Sequence, residues 1–259
     1  MHPRFWCVVV LLLLVPAPLL ALNAQEIVER ANQAAYYAGA DGRARVEMTI
    51  RDASGLERQR RFTLLRRNEA DGRQRFYAYF EAPADVNKMA YLVWKNPAAE
   101  DDRWLWLPAL NLVKRIAPGD KRTSFVGSDF LYEDVSGRST REDTHVLLEE
   151  TDSHYVIESR PKDPASVEFS RFVTRIDKQT FLPLKADYYD SSDRLYRQVE
   201  ALQVETIQGF ATVTHAVARD LLRDSSTENR FSGVAYDLGL NERIFTERFL
   251  RRPPREVLH

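Results

Sequence analysis

The residues able to do chemistry are few and badly placed for it. His145, His154, His215 and His259 show no short metal-ligand spacing, so each is expected to be a surface or strand histidine. Asp101 with Asp102, and Glu149 with Glu150, are carboxylate neighbours, but adjacent strand residues point to opposite faces and cannot share a substrate. "VGSDF" at 126–130 is not the Gly-x-Ser-x-Gly of a nucleophile elbow, and no glycine-rich phosphate loop exists. The single cysteine, Cys7, precedes an apolar run and belongs to a segment expected to be removed. No enzymatic activity, metal or cofactor is expected.

Charge points away from polyanions. Lys plus Arg number 37 against 38 Asp plus Glu, a formal net charge of −1, which gives no ground for a nucleic-acid partner. "RQRRFTLLRR" concentrates arginine locally, and Arg58 and Arg60 share one strand face. Charge that keeps an exposed strand soluble accounts for them more simply than a site for anionic headgroups.

The opening "MHPRFWCVVVLLLLVPAPLLALNAQE" has basic residues, an apolar run broken by Pro16 and Pro18, and small residues beyond it. A membrane-spanning helix needs roughly 20 apolar residues, so residues 1–24 are expected to be a cleavable signal peptide. Residues 25–259 then form a single domain in the periplasm, without disulfides. Roughly 235 residues can bury a core without covalent staples.

The elements that must position any site are mostly strands. "QEIVERANQAAYY" has Ile27, Val28, Ala31, Ala34 and Ala35 at helical spacing before the glycines of "AGADG", which predicts one N-terminal amphipathic helix. From "RVEMTIRD" onward the period is two. Alternating segments separated by turns such as "EADG", "NPAAEDD", "APGDK" and "SSD" predict an antiparallel meander of about eleven strands. So many strands accumulate twist and curl, giving a concave face that the helix either plugs or leaves partly open.

One region is apolar on both parities. "MAYLVW" and "WLWL" keep water from both faces of an antiparallel sheet, and three of the four tryptophans, Trp94, Trp104 and Trp106, lie there. An ordinary two-sided core would explain this. A pocket for an acyl chain would explain it too, its wall formed by Met48, Phe62, Leu64, Phe76, Phe80, Met89 and those tryptophans, the methionines supplying adaptable contacts. Parity cannot separate the two.

"TSFVGSDFLYEDV" at 123–135 reads as a loop held against the sheet by Phe125, Phe130, Leu131 and Tyr132. Gly127 permits a backbone that other residues resist, and Ser128 and Asp129 are candidate helix caps. Asp129, Glu133 and Asp134 lack the regular spacing of an oxygen-ligand cation site and read as solvated or capping carboxylates.

At these stretches, "WLWLPALNLVKRI" and "SFVGSDFLYEDV", and again at "FLPLKADYYDSSDRLYRQVE" and "NERIFTERFL", the sequence resembles the outer-membrane lipoprotein-sorting protein family. The resemblance runs from about Gln25 to Leu250 and implies a LolA-like fold, an unclosed β-barrel with a helical plug. It also implies a monomeric carrier whose hollow shields the acyl chains of a lipid or lipoprotein. Relatives work beside large inner-membrane transporters of the RND or MMPL type, making such a transporter the implied partner. At about 0.8 kcal/mol per methylene, a chain of about sixteen carbons costs about 12 kcal/mol to leave in water. The alternative is a non-carrier subunit that uses the same sheet to dock within an envelope complex.

Overall fold

The computed structural model describes residues 22–258. The expected signal peptide lies outside these residues except for its last three. Those three belong to the folded domain: helix α1 (Ala24–Tyr36) begins within the segment read as signal peptide. Asn23 caps it, accepting from the Glu26 N–H at 2.9 Å while Glu26 Oε2 accepts from the Asn23 N–H at 2.9 Å. This reciprocal pair satisfies two of the amide donors that a helix start leaves free. Ile27 and Ala31 are the buried stripe of the helix.

Thirteen antiparallel strands follow, against the eleven or so expected. The first meander comprises β1 (Asp41–Arg51), β2 (Glu57–Asn68), β3 (Gln74–Ala82), β4 (Ala90–Lys95), β5 (Asp102–Leu107) and β6 (Leu112–Ile116). The second comprises β7 (Asp143–Glu150), β8 (His154–Pro161), β9 (Arg171–Asp177), β10 (Pro183–Tyr189), β11 (Leu195–Ile207), β12 (Phe210–Asp220) and β13 (Ser225–Tyr236). All pair in one sheet, in the order β6-β5-β4-β3-β2-β1-β13-β12-β11-β10-β9-β8-β7. Strands β6 and β7 are its free edges, so the fold is mainly β and the barrel is unclosed.

The joint between the meanders is β1 against β13, in a register that sets Val46 opposite Phe231 and Met48 opposite Asn229. Strand β13 is the one that pattern reading passes over. Its inward positions include Thr227 and Asn229, both buried, so polar side chains interrupt the hydrophobic alternation that announces a strand.

The chain crosses from β6 to β7 through residues 117–142. This strap lies over the inner face and holds the short helix α2 (Tyr132–Ser136). Phe125 and Tyr132 pack there against Tyr91, with ring centroids 5.4 and 5.1 Å away. Together with Phe62, Phe80, Met48 and Met89 they fill one half of the barrel interior. On the outer face, residues 240–257, including helix α3 (Glu247–Arg251), cover Leu65, Tyr77, Trp104 and Trp106. The two-sided apolar character of β4 and β5 thus has a strap on one face and a C-terminal cover on the other. Among the described residues the single predicted helix is one of three; α2 and α3 have five residues each, too short to carry a helical period.

Candidate functional site

Where the strap fills one half of the concavity, α1 roofs the other without filling it. A cavity of about 470 Å³ remains between the helix and the inner face, within the range of about 300–1,000 Å³ typical of small-molecule sites. Its floor has Phe62 and Leu64 of β2, Phe76 of β3, and Ala186, Val199, Ala216 and Phe231 of the second meander. The roof is Val28, Ala31 and Ala35 of α1, and one end is closed by Phe125, Phe130 and Val135 of the strap. Small side chains make the space. Alanine is depleted in strands because it packs poorly on a pleated face, yet Ala186 and Ala216 sit inward and stay only half-buried.

Of the wall proposed on sequence, the structure brings Phe62, Leu64 and Phe76 to the cavity. Met48, Phe80 and Met89 belong to the filled core beside it, packed under the strap. The indoles are elsewhere: Trp94, Trp104 and Trp106 lie on the outer face under residues 240–257, and the placement of the hollow around them is corrected. Trp94 Nε1 donates to the Phe245 carbonyl at 2.8 Å, and Trp94 and Trp104 meet edge to face at 5.0 Å. The helix over the concave face was expected, but none of its lining residues was named, nor were the alanines of the second meander. Alanines at inward positions of otherwise bulky strands were the available signal.

The roof is fixed at its C-terminal end. The Arg66 guanidinium, on the inner face of β2, donates to the carbonyl oxygens of Tyr36 and Ala38. The Tyr36 carbonyl is among those a helix end leaves unpaired, and a cation is favoured there. Burial holds the Arg66 pKa below its usual value. The Tyr36 hydroxyl donates to the Asp134 carbonyl at 3.3 Å, tying α1 to α2. Its ring lies against Gly137, where an added Cβ would come within 2.7 Å of a ring carbon, so only glycine fits.

The strap is held by charge. Glu133, 3 % exposed, receives Arg122 at 2.6 Å, Arg138 at 3.2 Å and Lys121 at 3.6 Å. Burial pushes the Glu133 pKa up, but Arg122, Arg138 and Lys121 outweigh it and hold the carboxyl below its usual range. Arg122 also reaches Glu168 at 2.7 Å and Arg138 reaches Asp143 at 2.8 Å, so the cluster bolts the strap to the far side of the sheet. Glu133 and Asp129 are therefore buried partners, not solvated carboxylates, and Asp129 caps no helix. Arg60 likewise is buried rather than exposed.

Among the polar groups at the cavity, His145 is held by neutral partners. His145 Nε2 faces the Thr140 carbonyl at 3.0 Å and so donates to it, leaving Nδ1 to accept from the Ser159 hydroxyl at 2.7 Å. No carboxylate contacts the imidazole. Asn229, 8 % exposed, has a side-chain oxygen without a partner among the described residues. Among those residues there is also no group of three or more His, Cys, Asp or Glu able to hold a metal. No described helix is long and apolar enough to cross a membrane.

A family model described as "Uncharacterized protein" matches residues 72–252. A DUF1329 family protein from Desulfovibrio piger is 32% identical in sequence, with 87% of this chain and 97% of that one covered and a TM-score of 0.80. The chain belongs to the DUF1329 family. Its fold is shared more widely. An outer membrane lipoprotein-sorting protein domain from Vibrio parahaemolyticus is 26% identical over 88% of this chain and 98% of that one, with a TM-score of 0.81. A LolA superfamily protein from Nitrosomonas europaea, 20% identical over 88% of this chain and all (100%) of that one, has a TM-score of 0.68 and marks the architecture as LolA-like. Among curated proteins none matches.

Proposed function

We propose that this DUF1329 protein is a periplasmic carrier that shields the acyl chains of a lipid or lipoprotein in the cavity beneath α1 during transfer between membranes. The observation that carries the reading is a hollow of about 470 Å³ with aromatic and aliphatic walls inside an otherwise filled half-barrel. Hydrocarbon is the guest such a wall favours, because each methylene moved out of water contributes about 0.8 kcal/mol. Likeness to a lipoprotein-sorting domain supports the same reading.

The chemistry is binding alone. Ala31, Ala35, Phe62, Leu64 and Phe76 contact the chain, while α1, held through Arg66 and Tyr36, separates it from solvent. Release requires the roof to move, which parts the Arg66 and Tyr36 contacts at its C-terminal end and the packing of Ile27 and Ala31 on Ile157 and Ile176. The carrier acts as a monomer and receives or delivers its cargo beside an inner-membrane transporter of the RND or MMPL type. Protein purified without detergent is expected to yield extractable lipid in near-stoichiometric amount by mass spectrometry, and delipidated protein to bind a fluorescent fatty acid. Protein that carries no lipid and binds no probe overturns the reading.

A further inference from the structure

Away from the cavity, the turn between β5 and β6 carries an apolar tip. Leu110 and Leu112 are 69% and 46% exposed. Residues Pro108–Leu110 form a single 3₁₀ turn, closed by Asn111 in the left-handed region at φ 47°, whose N–H donates to the Pro108 carbonyl. The tip is preformed and needs no ordering when it meets a surface.

Helix α3 is pinned beside it. Arg251 donates from Nη1 to Asn111 Oδ1 at 2.7 Å and lies 4.3 Å from the Trp106 ring centroid. Arg248, three residues before Arg251, lies on its side of the helix, and Arg252 follows as the extended residue that ends the helix; both are exposed, as is Lys114 on β6. Among the described residues these three cations form no ion pair, whereas Arg115 is paired with Asp102. The acids on the same segment are Glu242, Glu247 and Glu256.

A single exposed leucine needs no explanation, and Lys114 alone would be accounted for as protection of a free sheet edge. Neither covers two leucines at a rigid tip with unpaired arginines on the next element. Leucines beside cations match a surface that offers hydrocarbon beneath a layer of phosphates. We infer that the β5–β6 tip and the basic side of α3 dock this protein on an anionic phospholipid bilayer. Leu110 and Leu112 enter the acyl boundary while Arg248 and Arg252 meet headgroup phosphates. None of these residues lines the cavity, so docking and cargo binding separate experimentally.

The test is cosedimentation of the full exported chain with vesicles of phosphatidylglycerol and phosphatidylethanolamine, beside vesicles of phosphatidylcholine alone. Wild type is expected to bind the anionic vesicles, to release them as salt rises, and to leave the neutral ones. Leu110→Glu with Leu112→Glu, and separately Arg248→Glu with Arg252→Glu, are expected to reduce the partition about tenfold or more. Both pairs are surface changes, and unaltered melting confirms folding. Fatty-acid binding is measured in parallel and is expected to stay at wild-type level. Variants that bind like wild type, equal binding to both vesicle types, or binding to neither overturn the inference; the last assigns the patch to a protein partner. Loss of fatty-acid binding in wild type strikes only the carrier reading.

Discussion

Asp129 and Thr227, 98 residues apart, hold each other in both directions: the Thr227 hydroxyl donates to Asp129 Oδ2 at 2.7 Å, and the Asp129 N–H donates to Thr227 Oγ1 at 2.9 Å. A second hydroxyl, that of Ser225, donates to Asp129 Oδ1 at 2.6 Å. This contact joins the strap to β13, the strand that connects the two meanders. Asp129→Ala leaves two hydroxyls without their acceptor and is expected to cost about 2–3 kcal/mol. Thermal melting should fall by roughly 4–12 °C, and Thr227→Val, which loses both bonds of the reciprocal pair, should fall by a similar amount.

Acid should loosen the strap through Glu133. Its folded pKa lies below the usual value because Arg122, Arg138 and Lys121 outweigh the effect of burial. A depressed carboxyl contributes stability that is fully present above the unfolded pKa of about 4.3 and is lost as pH falls through the lower folded value. Glu168, where burial is outweighed by Arg122, shifts in the same direction. Urea midpoints measured between pH 7 and pH 3 are expected to drop in wild type. Glu133→Gln removes the shared carboxylate but leaves Arg122, Arg138 and Lys121 paired with Glu168, Asp143 and Glu142; it should be about 1.5–3 kcal/mol less stable at pH 7 and show a flatter pH profile.

Cavity and indole face should respond oppositely to substitution. Ala216→Trp places a large side chain in the hollow from a half-buried position. It is expected to abolish fatty-acid binding with a stability change of about 1–3 kcal/mol. Trp104→Ala removes an anchor of the C-terminal cover. It should destabilise by about 3–5 kcal/mol while probe affinity in the folded protein stays the same. Fluorescence titration of both variants checks the assignment, and loss of affinity in Trp104→Ala alone would return the site to the indoles.

Two polar devices support the roof, a bolt to β2 at its C-terminal end and a cap within the helix at its start. Arg66→Ala deprives the Tyr36 and Ala38 carbonyls of a charged donor, an interaction worth about 1.5–3 kcal/mol. Asn23→Ala removes the cap at a cost of about 1 kcal/mol. Hydrogen exchange is expected to quicken in α1 in both variants and to stay unchanged in β2 and β3.

Strand period and turn residues made the mainly β character, the single N-terminal helix and the curled antiparallel meander legible, because those signals are local. The stretches "MAYLVW" and "WLWL" were also legible as buried on both faces, since each is apolar on both parities. Which face held the hollow was not. Phe62 and Trp104 are equally apolar in sequence, yet one floors a cavity and the other lies under residues 240–257.

What the amino-acid order determined by itself is the kind of surface each strand presents and where the chain turns. The tertiary structure alone decided what covers those surfaces. Strand β13 pairs with β1 across the whole length of the chain through polar inward residues, and alanines from distant strands meet under α1 to leave space. Empty volume is the difference between the walls that long-range pairing brings together and the side chains available to fill them. No local pattern encodes that difference.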